Sequence, residues 1–225
     1  MIMITKNLKI VAFLLVGLLF SSCNPEDHFN NDNNNPEENN YVVGSILCTD
    51  GSVVSVNQWP ESGKTAQGVV FYIDGTGIHG WAVGLKDLGD YAWSTNNVNV
   101  GTLSDYSSAD DASTDMDGYG NTQKIRNAGT SSKFPAAYCV NFSNGWYMPA
   151  CGQLYELVNN ITTVNSSLST LSESGVSVRT LNTTSACWWS STEFGSSKAW
   201  FVKYNGLRYN GLKSVDLTVR AVCDF

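Results

Sequence analysis

Charge is scarce in this chain. Asp, Glu, Lys and Arg make up 15% of its 225 residues, with 13 Lys and Arg against 20 Asp and Glu. No basic patch occurs, which argues against nucleic acid as a partner. Histidine is nearly missing: of the two present, only His79 falls within the part of the chain that can fold around a core. No CxxC pair exists, so the composition argues against a Cys/His zinc centre and no cofactor is expected. A catalytic base has one His available, and His79, beside Gly80 in a turn, reads more plainly as a solvated loop residue. Long apolar runs are lacking as well. Ile10–Phe20 is too short for a bilayer span, which takes about 20 residues.

What the N-terminus does hold is Lys6 and Lys9, the short apolar run, and then Ser21-Ser22-Cys23. Positive flank, apolar stretch and small residues mark a secretory signal. A Cys directly after the small pair resembles the lipobox of bacterial lipoproteins. That resemblance implies cleavage before Cys23, lipidation of its sulfur, and outer-membrane lipid as a partner, although Phe20 departs from the usual aliphatic residue. The alternative is an ordinary signal peptide with an incidental Cys. Residues 1–22 are thus the expected leader. Residues 23–40, rich in Asn and acid with almost nothing to bury, are the expected disordered tether. Glu26-Asp27 resembles the export signal of surface lipoproteins in Bacteroidetes-type bacteria, which implies an outer-membrane lipoprotein exposed at the cell surface. The alternative is a plain acidic linker.

Removing Lys6 and Lys9 with the leader leaves 11 cations against the 20 acids, a net charge of −9. Residues 41–225 suffice for one domain with a core. Gly (20), Tyr (10) and Trp (7) are plentiful, as are Ser, Thr and Asn, a composition that fits a β-rich secreted domain with long loops. Outside Cys23, five cysteines remain: Cys48, Cys139, Cys151, Cys187 and Cys223. Export permits disulfides, and an odd number leaves at least one thiol free.

Strands are expected at 41–47 and 52–56, closed by a hairpin at Cys48–Gly51. An apolar strand at 68–73 should pair antiparallel with 80–86 across the Asp74–Gly77 turn. Asn96–Gly120 is long, polar and irregular. Within it, Asp115-Met116-Asp117-Gly118 resembles part of a calcium loop, since hard cations want several oxygens on a tight turn. The late Glu of an EF-hand is missing, so Asp115 and Asp117 are weak metal candidates against the plainer reading of a solvated acidic loop. Short helices are expected at 123–128 and 135–140. A longer one follows Pro149, where Leu154, Leu157, Val158 and Ile161 share a face. After a Ser/Thr-rich stretch with some helix near 165–171 come strands at 185–192, 199–204 and 217–225. Between the last two, Lys203–Lys213 reads YNGL twice, and Asn-Gly is the strongest short hairpin signal.

The order of motifs is more specific than any one of them. Asp-x-Asp-Gly-x-x-Asn-Thr (115–122) precedes Gly-Trp-Tyr-Met-Pro with Gln-Leu (145–149, 153–154), Trp-Trp-Ser-Ser-Thr-Glu (188–193), Ala-Trp (199–200) and Val-Arg-Ala-Val (219–222). Over roughly 68–225 this resembles bacterial lipoprotein domains related to the Fibrobacter major-paralogue family and the C-terminal domain of collagen-like adhesins. Met148 and Gln153 depart from the Leu and acid usual there. The resemblance implies an α+β, C-type lectin-like fold: a twisted antiparallel sheet, two flanking helices, long loops, and paired N- and C-terminal strands. It implies a Cys139–Cys223 bridge, with Cys151–Cys187 as a second candidate and Cys48 left over.

It also implies a function. The leading expectation is a tethered, adhesin-like, non-enzymatic module that binds a protein or glycan through its C-terminal face. The candidate ligand residues are Trp189, Phe194, Tyr204, Asn205, Leu207, Arg208, Tyr209, Asn210, Lys213 and Asp216. Tyr and Asn suit such a surface because they give area and adaptable hydrogen bonds at low entropic cost. Adjacent strand residues point to opposite faces, so at least one of Trp188 and Trp189 is expected in the core. The calcium-dependent sugar signature of true C-type lectins is absent. Domains of this kind are often targets of diversity-generating retroelements, which would make 194–216 variable; the alternative is an ordinary hairpin. A structural subunit of a surface or fimbrial assembly is the second reading. An enzyme similar to the formylglycine-generating enzymes is the third, and it lacks a close Cys pair in the C-terminal half.

Overall fold

A computed structural model describes residues 41–225. The expected leader, the lipidated Cys23 and the tether lie outside the described residues. In chain order the elements are β1 (Ile46–Cys48), β2 (Val53–Val54), β3 (Ala66–Ile73), β4 (Gly80–Gly84), β5 (Gly89–Ala92), α1 (Ala109–Ala112), α2 (Gly118–Asn127), α3 (Pro135–Tyr138), α4 (Cys151–Asn159), α5 (Ile161–Glu173), β6 (Cys187–Glu193), β7 (Lys198–Lys203), β8 (Arg208–Leu212), β9 (Asp216–Val219) and β10 (Val222–Asp224). The fold is α+β. Among the described residues no helix is long and apolar enough to cross a membrane.

The strands form two five-stranded sheets rather than the one expected. In the first, ordered β10-β4-β3-β1-β2, every pair is antiparallel. The second, ordered β5-β9-β6-β7-β8, is mixed, because β6 and β9 run parallel at Trp188 and Thr218. The terminal strands do not pair. β1 and β10 share a sheet but β3 and β4 separate them, and the ends of the described residues meet instead through the rings of Tyr41 and Phe225, 5.9 Å apart. The 217–225 stretch is not one strand. It breaks at Arg220-Ala221, where the chain leaves the second sheet and enters the first.

Local sequence explains most of the elements. The 68–73 and 80–86 runs pair as expected, with Gly68 opposite Gly84 and Val69 opposite Val83. Helix α4 starts just after Pro149, and the Gln153 side chain accepts from the Ala150 N–H (3.0 Å), satisfying one of the amides a helix start leaves over. Helix α5 is Ser- and Thr-rich, a weak helical composition. It holds because Val164, Leu168 and Leu171 recur at helical spacing and are buried. Asp117 caps α2 through Gly120 N–H (2.8 Å), so this helix begins earlier than its expected start at 123. The main core lies between the first sheet and α4–α5 and reaches Trp188, Trp200 and Val202 of the second sheet. A second core, around Trp93, Phe134, Met148 and Trp189, fills the space between the second sheet and α2–α3.

Candidate functional site

The second sheet ends in the β7–β8 hairpin, with β8 as its open edge. The first YNGL makes the turn: Lys203 N–H donates to Leu207 O (2.9 Å), Gly206 N–H to Lys203 O (2.9 Å), and Gly206 has a positive φ of 80°. The second Asn-Gly is not a turn. Asn210 and Gly211 lie inside β8, where a Cβ on Gly211 would press on Phe201 at 3.2 Å.

The hairpin sorts the expected ligand residues into two groups. Asn205, Leu207, Tyr209 and Asp216 are exposed. Tyr209 stacks on Phe201, its register partner (centroids 5.9 Å apart), and the Lys203 ammonium lies 4.7 Å from the Tyr209 ring. Leu212 and Val215 are exposed as well, at 51% and 47%, Leu212 on the face of β8 opposite Tyr209. Sequence reasoning missed both, although Leu212 repeats the place of Leu207 in the second YNGL. Phe194, Tyr204, Arg208 and Asn210 are half-buried. Phe194 packs edge-on against Trp200 (5.5 Å). Arg208 turns to the helical side, over Tyr155 (4.6 Å) and onto Ser113 Oγ (2.8 Å).

Trp189 and Lys213 are completely buried and offer nothing to a ligand. The Trp189 indole donates to Tyr91 O (2.9 Å), and Trp188 is buried too, in the other core. Lys213 forms a buried ion pair with Glu193. Its ammonium also donates to Val98 O (2.7 Å) and lies 4.4 Å from the Trp93 ring. Glu193 Oε1 accepts from Val100 N–H (3.1 Å). Burial pushes the Glu193 carboxyl up and the Lys213 ammonium down, each opposed by the other's charge. Together with Trp200, whose indole donates to Tyr106 O (2.9 Å), the pair fastens the irregular 96–108 loop by its backbone.

Asp115 and Asp117, the metal candidates, have other work. Asp115 is buried, and its carboxylate accepts from Asn121 Nδ2 (2.8 Å), Thr192 Oγ1 (2.7 Å) and Asp117 N–H (3.2 Å). Thr192 Oγ1 in turn accepts from Cys151 N–H (2.8 Å), and Asp115 O accepts from Gly152 N–H (3.0 Å). Nearby, Thr122 Oγ1 bridges the backbone of Met148, and Gln153 links to Tyr147 OH (2.9 Å), which donates to Asp224 (2.9 Å). The motifs at 115–122, 145–154 and 188–193 therefore converge on one buried polar junction. It allows no extra atoms: a Cβ on Gly118 would sit 2.3 Å from Gln153 Oε1, and one on Gly152 2.4 Å from Ser113 O. Among the described residues no three His, Cys, Asp or Glu side chains are grouped to hold a metal. The junction joins α2, α4, β6 and β10; it is architecture.

Neither expected disulfide forms, and all five described cysteines are free thiols. Cys139 ends α3 beside the second core, whereas Cys223 lies on β10 against Leu47 and Ala82. Cys151 faces the main core at the head of α4, and Cys187 begins β6 at the surface side. Burial raises Cys139, Cys151 and Cys223 to about 12. The thiolate is the reactive form, so iodoacetamide at pH 8 should label Cys187 first and leave those three unmodified until the chain is unfolded. Peptide mass spectrometry before and after denaturation checks this.

No protein-family model matches the sequence, and no curated protein does. Among solved structures, the fold is similar to that of a fimbrial protein from Bacteroides ovatus ATCC 8483, with a TM-score of 0.60 and 20% sequence identity over 82% of this chain. This chain spans 49% of that one. At such identity the likeness is one of fold.

Proposed function

We propose that this chain is a non-enzymatic subunit of a cell-surface assembly of fimbrial type, carried as an outer-membrane lipoprotein on Cys23 and built on a variant of the C-type lectin-like fold. The observation that carries the reading is the fold shared with a fimbrial protein over 82% of the chain. The open β8 edge supports it. Edge strands are usually guarded by Pro, inward charges or cover. This one carries no Pro; Arg208, turned inward toward Asp110, is its one charged guard, and Leu207, Tyr209, Leu212 and Val215 are exposed around it. A second copy is the natural occupant of such an edge.

The full chain should self-associate with concentration in sedimentation velocity, and a Leu207→Asp, Tyr209→Asp double variant should reduce that association by at least about tenfold, since each replaces an apolar contact with a desolvated charge. A chain that stays monomeric at all concentrations, and is absent from sheared surface fibres by immunogold microscopy, overturns the reading.

A second reading rests on the Phe201–Tyr209 stack with Lys203 above it. Such a rigid aromatic patch suits recognition of a protein or glycan in an adhesin. If a retroelement diversifies 194–216, variation should fall on Asn205, Leu207, Tyr209, Leu212 and Val215 and spare Ala199, Trp200, Val202 and Lys213, which are buried. Neighbouring DNA without a reverse transcriptase gene and template copy removes the retroelement from this reading.

A further inference from the structure

On the face of the first sheet away from the main core, Gly68 of β3 and Gly84 of β4 stand opposite each other. Their missing side chains make room for Trp146. A Cβ on Gly68 would come within 3.1 Å of the indole Cη2, and one on Gly84 within 3.4 Å of Cζ3. The indole is thus seated on bare backbone and held half-buried. Beside it lies a cavity of about 350 Å³. Its apolar wall is Trp146 and Leu85; Gln67, Asn141, Ser177 and Lys86 supply the polar groups. The volume is at the small end for ligand pockets, about 300–1,000 Å³.

Each polar group has capacity to spare. Gln67 Nε2 donates once, to Cys48 O (2.8 Å), leaving its carbonyl and a second N–H. Asn141 Oδ1 accepts from Ser143 (3.1 Å), leaving its amide hydrogens. Lys86 donates to Ser177 Oγ (2.7 Å), and none of the ion pairs among the described residues includes it. Donors and acceptors are therefore mixed around an aromatic wall. Asn141, Ser177 and Lys86 are exposed at the rim and Gln67 is half-buried beside them, so a purely aliphatic ligand would leave that polar rim unused. A flat aromatic one would use few of them. A ring with apolar C–H faces and hydroxyls around its rim satisfies both wall and rim.

We propose that this cavity is a saccharide subsite, taking one pyranose ring with a C–H face against Trp146 and hydroxyls toward Gln67, Asn141, Ser177 and Lys86. It is separate from the β7–β8 hairpin and does not depend on how the chain assembles.

The test uses the full chain, labelled with ¹⁵N at the tryptophan indoles, and two probes: methyl glucoside and methyl glucuronide. At least one probe should show saturation transfer and bind with a millimolar dissociation constant. The Trp146 indole resonance, assigned through Trp146→Phe, should shift most. Asn141→Ala and Lys86→Ala, both at the rim, should each weaken binding by about tenfold with unchanged melting. Tyr209→Ala should leave binding as it was. The proposal is overturned if neither probe binds at about 10 mM, if the Trp146 resonance stays still while another moves, or if the two rim variants bind as the parent does.

Discussion

Lys213→Met should destabilise the protein by about 3–5 kcal/mol, the cost of removing one partner from a buried ion pair. In a chain of this size that lowers the melting temperature by roughly 6–20 °C, at about 2–4 °C per kcal/mol. The argument starts from burial. Both side chains are fully inaccessible, and Glu193 Oε2 already lacks a hydrogen-bond partner. With methionine in place, the carboxylate keeps only the Val100 N–H, and Val98 O loses its donor. The loss should also loosen the 96–108 loop, so amide exchange at Val98–Tyr106 should accelerate more than in α4.

The deficit should depend on pH in a definite direction. Burial, the largest influence on Glu193, already raises its carboxyl above the ordinary range despite Lys213. Without the ammonium it rises further. A group raised in the folded state contributes its stability below the unfolded value, about 4.3, and loses it as pH climbs through the folded value. The variant should therefore be closest to the parent near pH 4 and fall furthest behind at pH 8. Adding Glu193→Gln should recover most of the loss, because the amide keeps an acceptor for Val100 N–H and has no charge to bury. A double variant no more stable at pH 8 than Lys213→Met alone would show that the charge is not what the site pays for.

This pair also shows where sequence reading stops. A lysine at the end of a Tyr/Asn-rich hairpin reads as surface, and nothing local marks Glu193, 20 residues earlier, as its partner. Long-range pairing hid the strand break as well. Leu217–Phe225 is continuously strand-like, yet Arg220 is buried, donating to Gly84 O (2.9 Å) and Arg179 O (2.9 Å) and pairing with Asp87. A charge inside an apolar run was the available signal. What could be read were the local features: the Asp50-Gly51 hairpin, the β3–β4 pair, the helix after Pro149 and the YNGL turn. The ordered motifs were legible as a set, and the expected cysteine bridges were not formed: Cys139 and Cys223 stand against different cores, and Cys151 is in the main core while Cys187 lies at the surface side. On the hairpin face, alternation separated Tyr209 from its neighbours; at least one of Trp188 and Trp189 was expected in the core and both are within it, which removes Trp189 from the ligand surface.

The ordered motifs lead to the second large effect. Asp115→Ala should cost about 3–5 kcal/mol, although the residue lies in a stretch that looks like a solvated acidic loop. The carboxylate accepts three hydrogen bonds, from Asn121, Thr192 and the Asp117 N–H. Bonds to a charged acceptor contribute about 1.5–3 kcal/mol each, and a buried donor left unmatched costs about 1–3 kcal/mol. Part of this is relieved where Thr192 and Asp117 can turn to water, which keeps the total below the simple sum. Asp115→Asn discriminates this role from a metal site. Asparagine keeps one acceptor, so it should recover a share of the stability, and calcium should change neither variant's melting temperature. A metal site would instead show calcium-dependent melting in the parent that both variants lose. Thr192→Val, which removes the hydroxyl between Asp115 and the head of α4, should cost less than Asp115→Ala. Combined with it, the loss should fall short of additive, because the two substitutions break the same bond. Full additivity would mean that the three motifs hold the fold separately and not through one junction.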